Sequence, residues 1–538
     1  MSERRLSSET RALVRRLDHR PRQWLAPTRR KEDISVLRRL GERGEPAAIP
    51  WILPFTLSGP AGRQRAALSA VEILLGRTRP RDVIWLDKHL RHWMPRAYWP
   101  SAWHQVSLLD LSGEVFRQPC MLRLASCHPN GFVREAALVR LATSGIAGTD
   151  VPFLIIRLND WVPAVRKTAD RLFRAAVSRM DATDLLPGVS MLPWIQQAGL
   201  RKELQWVASS VTDSLDRPLA AYARRLAIRS DDRTIRLEGF RALARTGELD
   251  LETVTSALMD TDPLIGGAAL SAAFSGALGS QQSLLRTALR SPHGSIRALA
   301  IRECAVDTDT VSNTLDPILL FDRSAAVREA ARLVYHDLPP EAALEIGLEA
   351  IRSGRARQRA AALLGLAELG PRIDDIESIL EEFRIDESAR VRASVIRCRH
   401  HLNGRLQAKE ILRGLADPSS RVARTTARLA ARNRSVPVAD LWNEVIGGQA
   451  RHTRRYAFQM LSRGGKWTSL QYILKARRLP DLDIRELAEI ELGCWFQRMN
   501  RSFTKPTESD RRAIRDELDQ QTESLHQRTR EFIEFLLR

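Results

Sequence analysis

Lysine is scarce in this chain: only eight of its 84 basic residues are lysine, and the rest are arginine. GC-rich coding also produces such a skew, so the net charge of +20 and the pI near 10.7 are weaker pointers to nucleic acid than they would otherwise be. Aromatic residues make up 6% of the sequence, against a wealth of Ala, Leu and Arg, a balance that suits helices better than sheets. The five cysteines, Cys120, Cys127, Cys304, Cys398 and Cys494, are odd in number and mostly far apart. That argues against a disulfide framework and for a reducing compartment, with the cytosol expected.

Other absences narrow the chemistry. No P-loop, Gly-x-Ser-x-Gly elbow, dinucleotide fingerprint or kinase set occurs. No His-Glu dipeptide occurs either, which removes an iron-binding hydroxylase built on helical repeats. Met1 to Arg22 lacks the apolar run of a secretory signal, and the Ala- and Gly-rich stretch from Leu264 to Leu278 is too short to span a bilayer comfortably.

What is present is a repeat. At 538 residues the chain is longer than one compact core supports, so it is either several domains or one array. A turn with Asp, Ser or Pro, then a β-branched residue, Arg, two variable positions and Ala recurs along it. Clear copies centre on Val133-Arg134, Val165-Arg166, Ile296-Arg297, Val327-Arg328 and Val391-Arg392, and weaker ones on Ile235-Arg236, Ile265-Gly266, Gln358-Arg359, Val422-Ala423 and Thr453-Arg454. Neighbouring copies lie 30 to 33 residues apart, apart from a longer gap around Leu192 to Ser210. Each copy reads as the start of the second helix of a hairpin. Asp262-Pro263, Ser291-Pro292 and Asp417-Pro418 supply an N-cap before a proline, and apolar residues follow at helical spacing, as in Val327, Ala330, Ala331 and Val334. No such hairpin buries its apolar face alone, so stability must come from stacking.

This pattern resembles the HEAT repeats, in the short form of about 31 residues found in phycobilisome-lyase-type proteins. The resemblance covers roughly Pro46 to Pro480 and implies an all-α, elongated α-solenoid of helical hairpins. It also implies a structural ladder of Asp and Arg between adjacent repeats, carried over to Asp160 and Arg166, Asp322 and Arg328, and Asp386 and Arg392. Ser291, Ser353 and Gly448 depart from it at the acidic position, and Gly266 and Ala423 at the basic one.

Four segments are expected: a basic N-terminal arm over 1–45, irregular Trp- and Pro-rich repeats over 46–125, the solenoid over 126–480 and a helical cap over 481–538. Trp24, Trp51, Trp85, Trp93, Trp99 and Trp103 fall in or before the irregular repeats and read as a cover for the end of the array rather than as a ligand pocket. His89-x-x-His92 lacks a convincing third metal ligand, and Cys120, Cys127 and His128 fit no zinc spacing. Ile514, Leu518, Leu525, Phe532 and Leu536 recur at near-heptad intervals and suggest a capping helix before a coiled coil.

Repeat similarity carries no catalytic residues, so neither a bilin lyase nor a HEAT-like DNA glycosylase follows from it. For the glycosylase, Trp161 beside Asp160 is the nearest local candidate. The expected function is a non-enzymatic scaffold of bacterial type that binds a protein partner, with nucleic acid as the alternative, no cofactor, no metal and no membrane. Charge locates the candidate surface. From Val391 to Pro480, 19 basic residues stand against four acids. Arg421, Arg424, Arg428 and Arg432 follow at helical spacing, Arg451, Arg454 and Arg455 extend the row, and Trp442, Tyr456 and Trp467 are candidate stacking surfaces.

Overall fold

The computed structural model describes residues 6–17, 27–92, 102–197, 204–275, 281–305, 315–352, 354–370, 376–431, 435–499, 503–521 and 525–538, of which the side chains of 27–31, 92, 275 and 281 are left aside. Among them there are helices, 3₁₀ turns and irregular connections but no strand. The chain is an all-α solenoid of helical hairpins and divides into two compact units, Met1–Gly279 and Ser280–Arg538. Among the described residues no helix is long and apolar enough to cross a membrane, and the helix Pro263–Ser275 lies within a hairpin.

The hairpins follow the repeat. In the first unit, Pro119–Ala125 pairs with Gly131–Thr143, Val151–Leu158 with Pro163–Arg179, and Leu251–Leu258 with Pro263–Ser275. In the second, Pro340–Arg352 pairs with Ala356–Leu369, Ala408–Leu415 with Ser420–Leu429, and Val438–Gly447 with Arg451–Ser462. Burial explains the β-branched position: Val133, Val165, Ile265, Ile296, Val327 and Val391 are fully buried at the start of the second helices. The second helices Gly131–Thr143, Ala356–Leu369, Ala389–Asn403 and Ser420–Leu429 each pack on their hairpin partner and on the next second helix, so the apolar stripe and the small alanines face two neighbours at once. At Gly365 an added Cβ would lie 2.5 Å from the Leu320 carbonyl, so this helix approaches backbone and needs a glycine there.

Repeat turns launch the second helices by one device. Asp322, Asp386 and Asp417 each accept the backbone N–H two residues on, from Ser324, Ser388 and Ser419, at 2.7, 2.7 and 2.8 Å. Ser388 and Ser419 then cap their helices by accepting from the N–H groups of Arg390 and Arg421. The long gap in the repeat holds the helices Ala182–Ser190, Leu192–Ile195 and Gln205–Asp216, an irregular stretch in the same continuous core.

The two ends differ from the sequence expectation in detail. Trp51 and Trp103 are core residues, and Trp85 is half-buried and stacks on His89 at 3.9 Å between ring centres, while Trp24, Trp93 and Trp99 lie outside the described residues. The C-terminal heptad pattern is two short helices, Glu508–Asp519 and Gln527–Leu536. Ile514 and Leu518 are buried as expected, but Phe532 is largely exposed and Ile533 takes the inward place, because the helix restarts at Gln527 and resets the register.

Candidate functional site

Arginines in this protein divide into those the fold consumes and those it leaves over. The consumed ones form a ladder with a fixed geometry. Arg297 donates through Nη1 to the Ser291 carbonyl of its own turn at 2.8 Å, and through Nε and Nη2 to the Asp322 carboxylate of the next repeat at 3.2 and 2.6 Å. Arg392 does the same with the Asp386 carbonyl and the Asp417 carboxylate, and Arg359, Arg236 and Arg134 reach forward likewise to Asp386, Asp260 and Asp160. Each arginine therefore binds its own turn through a carbonyl and the next turn through a carboxylate.

That geometry corrects the pairing drawn from sequence. Asp160 and Arg166, Asp322 and Arg328, and Asp386 and Arg392 meet through the carbonyl of the Asp and not its side chain, at 2.8, 2.9 and 2.8 Å. Since only a carbonyl is needed there, Ser291 and Gly448 serve Arg297 and Arg454 equally well. The charge pair spans repeats, and its two halves vanish together: Gly266 replaces the arginine where Ser291 replaces the next acid, and Ala423 where Gly448 does. Arg328, whose forward position Ser353 lies outside the described residues, takes the Glu368 carboxylate instead, at 2.9 and 2.5 Å.

Asp160 is the most enclosed member of the ladder. Its carboxylate accepts from Arg134, Arg91 and Arg157, at 2.7 Å from the first two and 3.1 Å from the third, and both Asp160 and Arg134 are wholly buried. Asp87 shares Arg91 and Arg157, and its pKa is pushed up to about 6, chiefly by burial. A cleft of about 430 Å³ beside them is lined by Trp161 and Trp194 as well as Asp87 and Lys88. Asp160 offers this cleft no free carboxylate, because three guanidiniums and the Val162 N–H already occupy it.

Some of the arginines outside the ladder lie side by side in the second unit. Arg421, Arg424 and Arg428 are exposed on the helix Ser420–Leu429, while Val422, Ala423, Thr425 and Thr426 face inward. Among the described residues no acid lies within ion-pair distance of these three guanidiniums, and the same holds for Arg455 on the next second helix. Arg432 lies outside the described residues. Arg451 and Arg454, by contrast, are held by Asp483 at 2.5 Å and Asp481 at 2.8 Å, so Arg454 belongs to the ladder and not to the free row. Trp467 is corrected as a stacking surface: it is buried and donates its Nε1–H to the Thr504 carbonyl at 3.0 Å. Trp442 is buried as well, against Tyr472 at 5.2 Å.

Sequence reasoning missed the other half of this face. Arg390 and Arg397 lie on the preceding second helix Ala389–Asn403, which packs on Ser420–Leu429, and Arg397 feels the charges of Arg428 and Arg421. Burial and then the charges of Arg428, Arg421 and Arg390 hold the pKa of Arg397 below the ordinary arginine value. The signal was there to read: Arg357, Arg390 and Arg421 each precede the β-branched position of their copy, in three successive repeats. Burial keeps the remaining candidates unreactive. The Cys120 thiol is pushed up to about 11 and that of Cys398 to about 12, and no group of three metal-ligating side chains comes together among the described residues.

No family model and no curated protein matches the chain. Solved helical structures do. The crystal structure of Kap121p aligns over 97% of this chain and 65% of its own, with 12% identity and a TM-score of 0.32. A structure of Kap95p bound to RanGDP aligns over 91% and 69%, at 13% identity and 0.34, and one of importin beta over 96% and 68%, at 13% and 0.30. The chain thus spans slightly less than two thirds of the length of Kap121p.

Proposed function

We propose that this protein is a non-enzymatic scaffold whose second unit holds an acidic protein partner against its basic face. One observation carries the reading: Arg421, Arg424, Arg428 and Arg455 are exposed and, among the described residues, have no acid within ion-pair distance, whereas the ladder arginines Arg297, Arg359, Arg392 and Arg454 are each paired with an acid of the next turn. Like charges at three- and four-residue spacing weaken a helix, so the fold gains nothing from this row. A partner that neutralises it does. Arginine forks suit carboxylates, and about one such contact per helix turn gives register as well as affinity.

Nucleic acid is the second reading, favoured by the excess of basic over acidic residues between Val391 and Pro480. Burial of Trp442 and Trp467 weighs against its single-stranded form, which is held largely by stacking on exposed aromatics. The test is capture of partners by the full chain with and without nuclease, beside binding to labelled duplex and single strands over a salt series. Nuclease-resistant capture that is lost in the Arg421, Arg424 and Arg428 to Glu variant supports the scaffold. A log–log salt slope of about −4 to −6, as for roughly five or six neutralised phosphates, would replace it with nucleic-acid binding.

A further inference from the structure

The basic face has a grain. Arg357, Arg390 and Arg421 occupy the same place, the second residue of three successive second helices, Ala356–Leu369, Ala389–Asn403 and Ser420–Leu429, which pack side by side. Arg357 and Arg421 are exposed and Arg390 is half-buried, and none has an acid within ion-pair distance among the described residues. A cation in the first turn opposes the helix dipole, and these three helices have no acid in their first turns to offset it. Glu387, in the turn before Arg390, lies 3.4 Å from Arg359. The file has definite ends. One repeat earlier the place is held by Ala326, and beyond Arg421 it is held by His452, whose Nε2 lies 2.9 Å from the Asp417 carbonyl, and then by Asp483, which pairs with Arg451.

At its Arg357 end the file opens into a cleft of about 930 Å³. The repeat explains why a cleft is there. Gln358 stands where other copies bury Val or Ile, is exposed, and lines the cleft, and the first helix of the preceding hairpin is only the 3₁₀ turn Pro317–Phe321. Arg290, Arg323 and Arg355 line the same cleft with Arg357. Its one acid, Asp322, is already taken by Arg297 at 2.6 Å. Arg323 makes only a 3.4 Å contact with the Pro292 carbonyl.

We infer that this cleft and the file of Arg357, Arg390 and Arg421 form one track for an extended acidic peptide segment carrying an acid at every third residue. The inference rests on the scaffold reading and adds the conformation and the spacing of what is bound. Packed helices lie about 8 to 10 Å apart, and a chain in the extended polyproline II conformation rises about 3.1 Å per residue with three residues per turn, so every third side chain faces the same way and meets one arginine per helix. The cleft, with four arginines besides the paired Arg297, takes the end of the segment at which acids are most dense. A nucleic acid strand has no such three-residue period, and among the described residues of this face there is no exposed tryptophan to stack its bases.

The test uses the full chain and labelled fifteen-residue peptides of identical composition, with glutamates at every third residue, at every fourth, or in one block, and polyglutamate and a labelled oligonucleotide as further probes. The every-third peptide should bind at least about ten-fold tighter than the other two, and Arg390→Glu should lower its affinity by about ten-fold or more while the helical circular dichroism signal and melting temperature stay unchanged. Equal affinities for the three peptides, lowered alike by Arg390→Glu, would overturn the track and leave the scaffold reading standing. Failure of every acidic probe would overturn both. An oligonucleotide that binds tighter than all three peptides and is lost in Arg390→Glu would overturn the peptide in favour of nucleic acid.

Discussion

Replacing Asp160 by Asn should destabilise the first unit more than any other conservative change in the ladder. The carboxylate sits among three guanidiniums: Arg134 donates to both oxygens, at 2.9 and 2.7 Å, and Arg91 and Arg157 donate to Oδ2 at 2.7 and 3.1 Å. Asparagine keeps an acceptor for Arg134 Nη2 and the Val162 N–H on the Oδ1 side. On the other side its amide would face three donors with a donor, and Asp87 would be left as the single carboxylate for Arg91 and Arg157. Breaking a buried ion pair in this way costs about 3 to 5 kcal/mol, a large part of the roughly 5 to 15 kcal/mol that holds a domain together. The partly exposed pair Asp386 and Arg359, with both contacts at 3.2 Å, supplies the comparison: Asp386→Asn should cost about 1 kcal/mol. Urea unfolding followed by circular dichroism measures both, with the slope checked for loss of two-state behaviour, since repeat arrays unfold in parts. A cost below about 1 kcal/mol for Asp160→Asn, or one no larger than that of Asp386→Asn, would refute the claim that this carboxylate is a buried structural hub.

Arg328→Ala should cost about 1 to 3 kcal/mol, because it leaves the half-buried Glu368 with Arg332 alone, and binding by the basic face should not change below the melting transition. His128 is buried, donates from Nε2 to the Trp103 carbonyl at 2.8 Å and accepts the Asn130 N–H on Nδ1 at 3.0 Å, an arrangement of the neutral ring, and burial lowers its pKa to about 4. The folded pKa lies below the ordinary 6.5, so the unfolded chain takes up the proton first, and stability falls as pH drops from about 6.5 to 4. A stability-against-pH series should therefore show the wild type losing up to about 3 kcal/mol relative to His128→Gln over that window, while the opposite drift from Asp87 cancels between the two proteins. Gly365→Ala should lower the melting temperature of the second unit by the equivalent of about 1 to 3 kcal/mol, since the Leu320 carbonyl cannot yield to a new methyl group 2.5 Å away.

The architecture was legible because a hairpin repeat writes the same physics many times. Val133, Val165, Ile296, Val327 and Val391 each fill one buried place, and the turn before each must launch a helix, so residue type and spacing repeat together. The direction of the ladder was not legible. Asp160 and Arg166 are six residues apart in sequence, and only the stacking shows that the Arg166 guanidinium meets a carbonyl while the Asp160 carboxylate meets arginines from elsewhere. Charge counting located the basic face but misjudged its members: Arg454 is consumed by Asp481, and Trp467 is inside. Charge alone does not separate Arg454 from Arg455; the repeat register does, because Arg454 holds the ladder position and meets an acid 27 residues away in the next turn.

That difference between consumed and surplus arginines is what gives the face meaning. A solenoid tolerates loss of a ladder pair when both halves go together, as Gly266 with Ser291 and Ala423 with Gly448 show, because removing one half alone would strand a partly buried charge. The helix Ser420–Leu429 lacks its ladder arginine and yet carries three others, all turned outward and none needed to hold the next repeat. Its charge is therefore not a by-product of how the repeats are joined. Arginines retained where the fold has given up its own, with Arg397 on the helix before, are the ones the proposed acidic partner would neutralise.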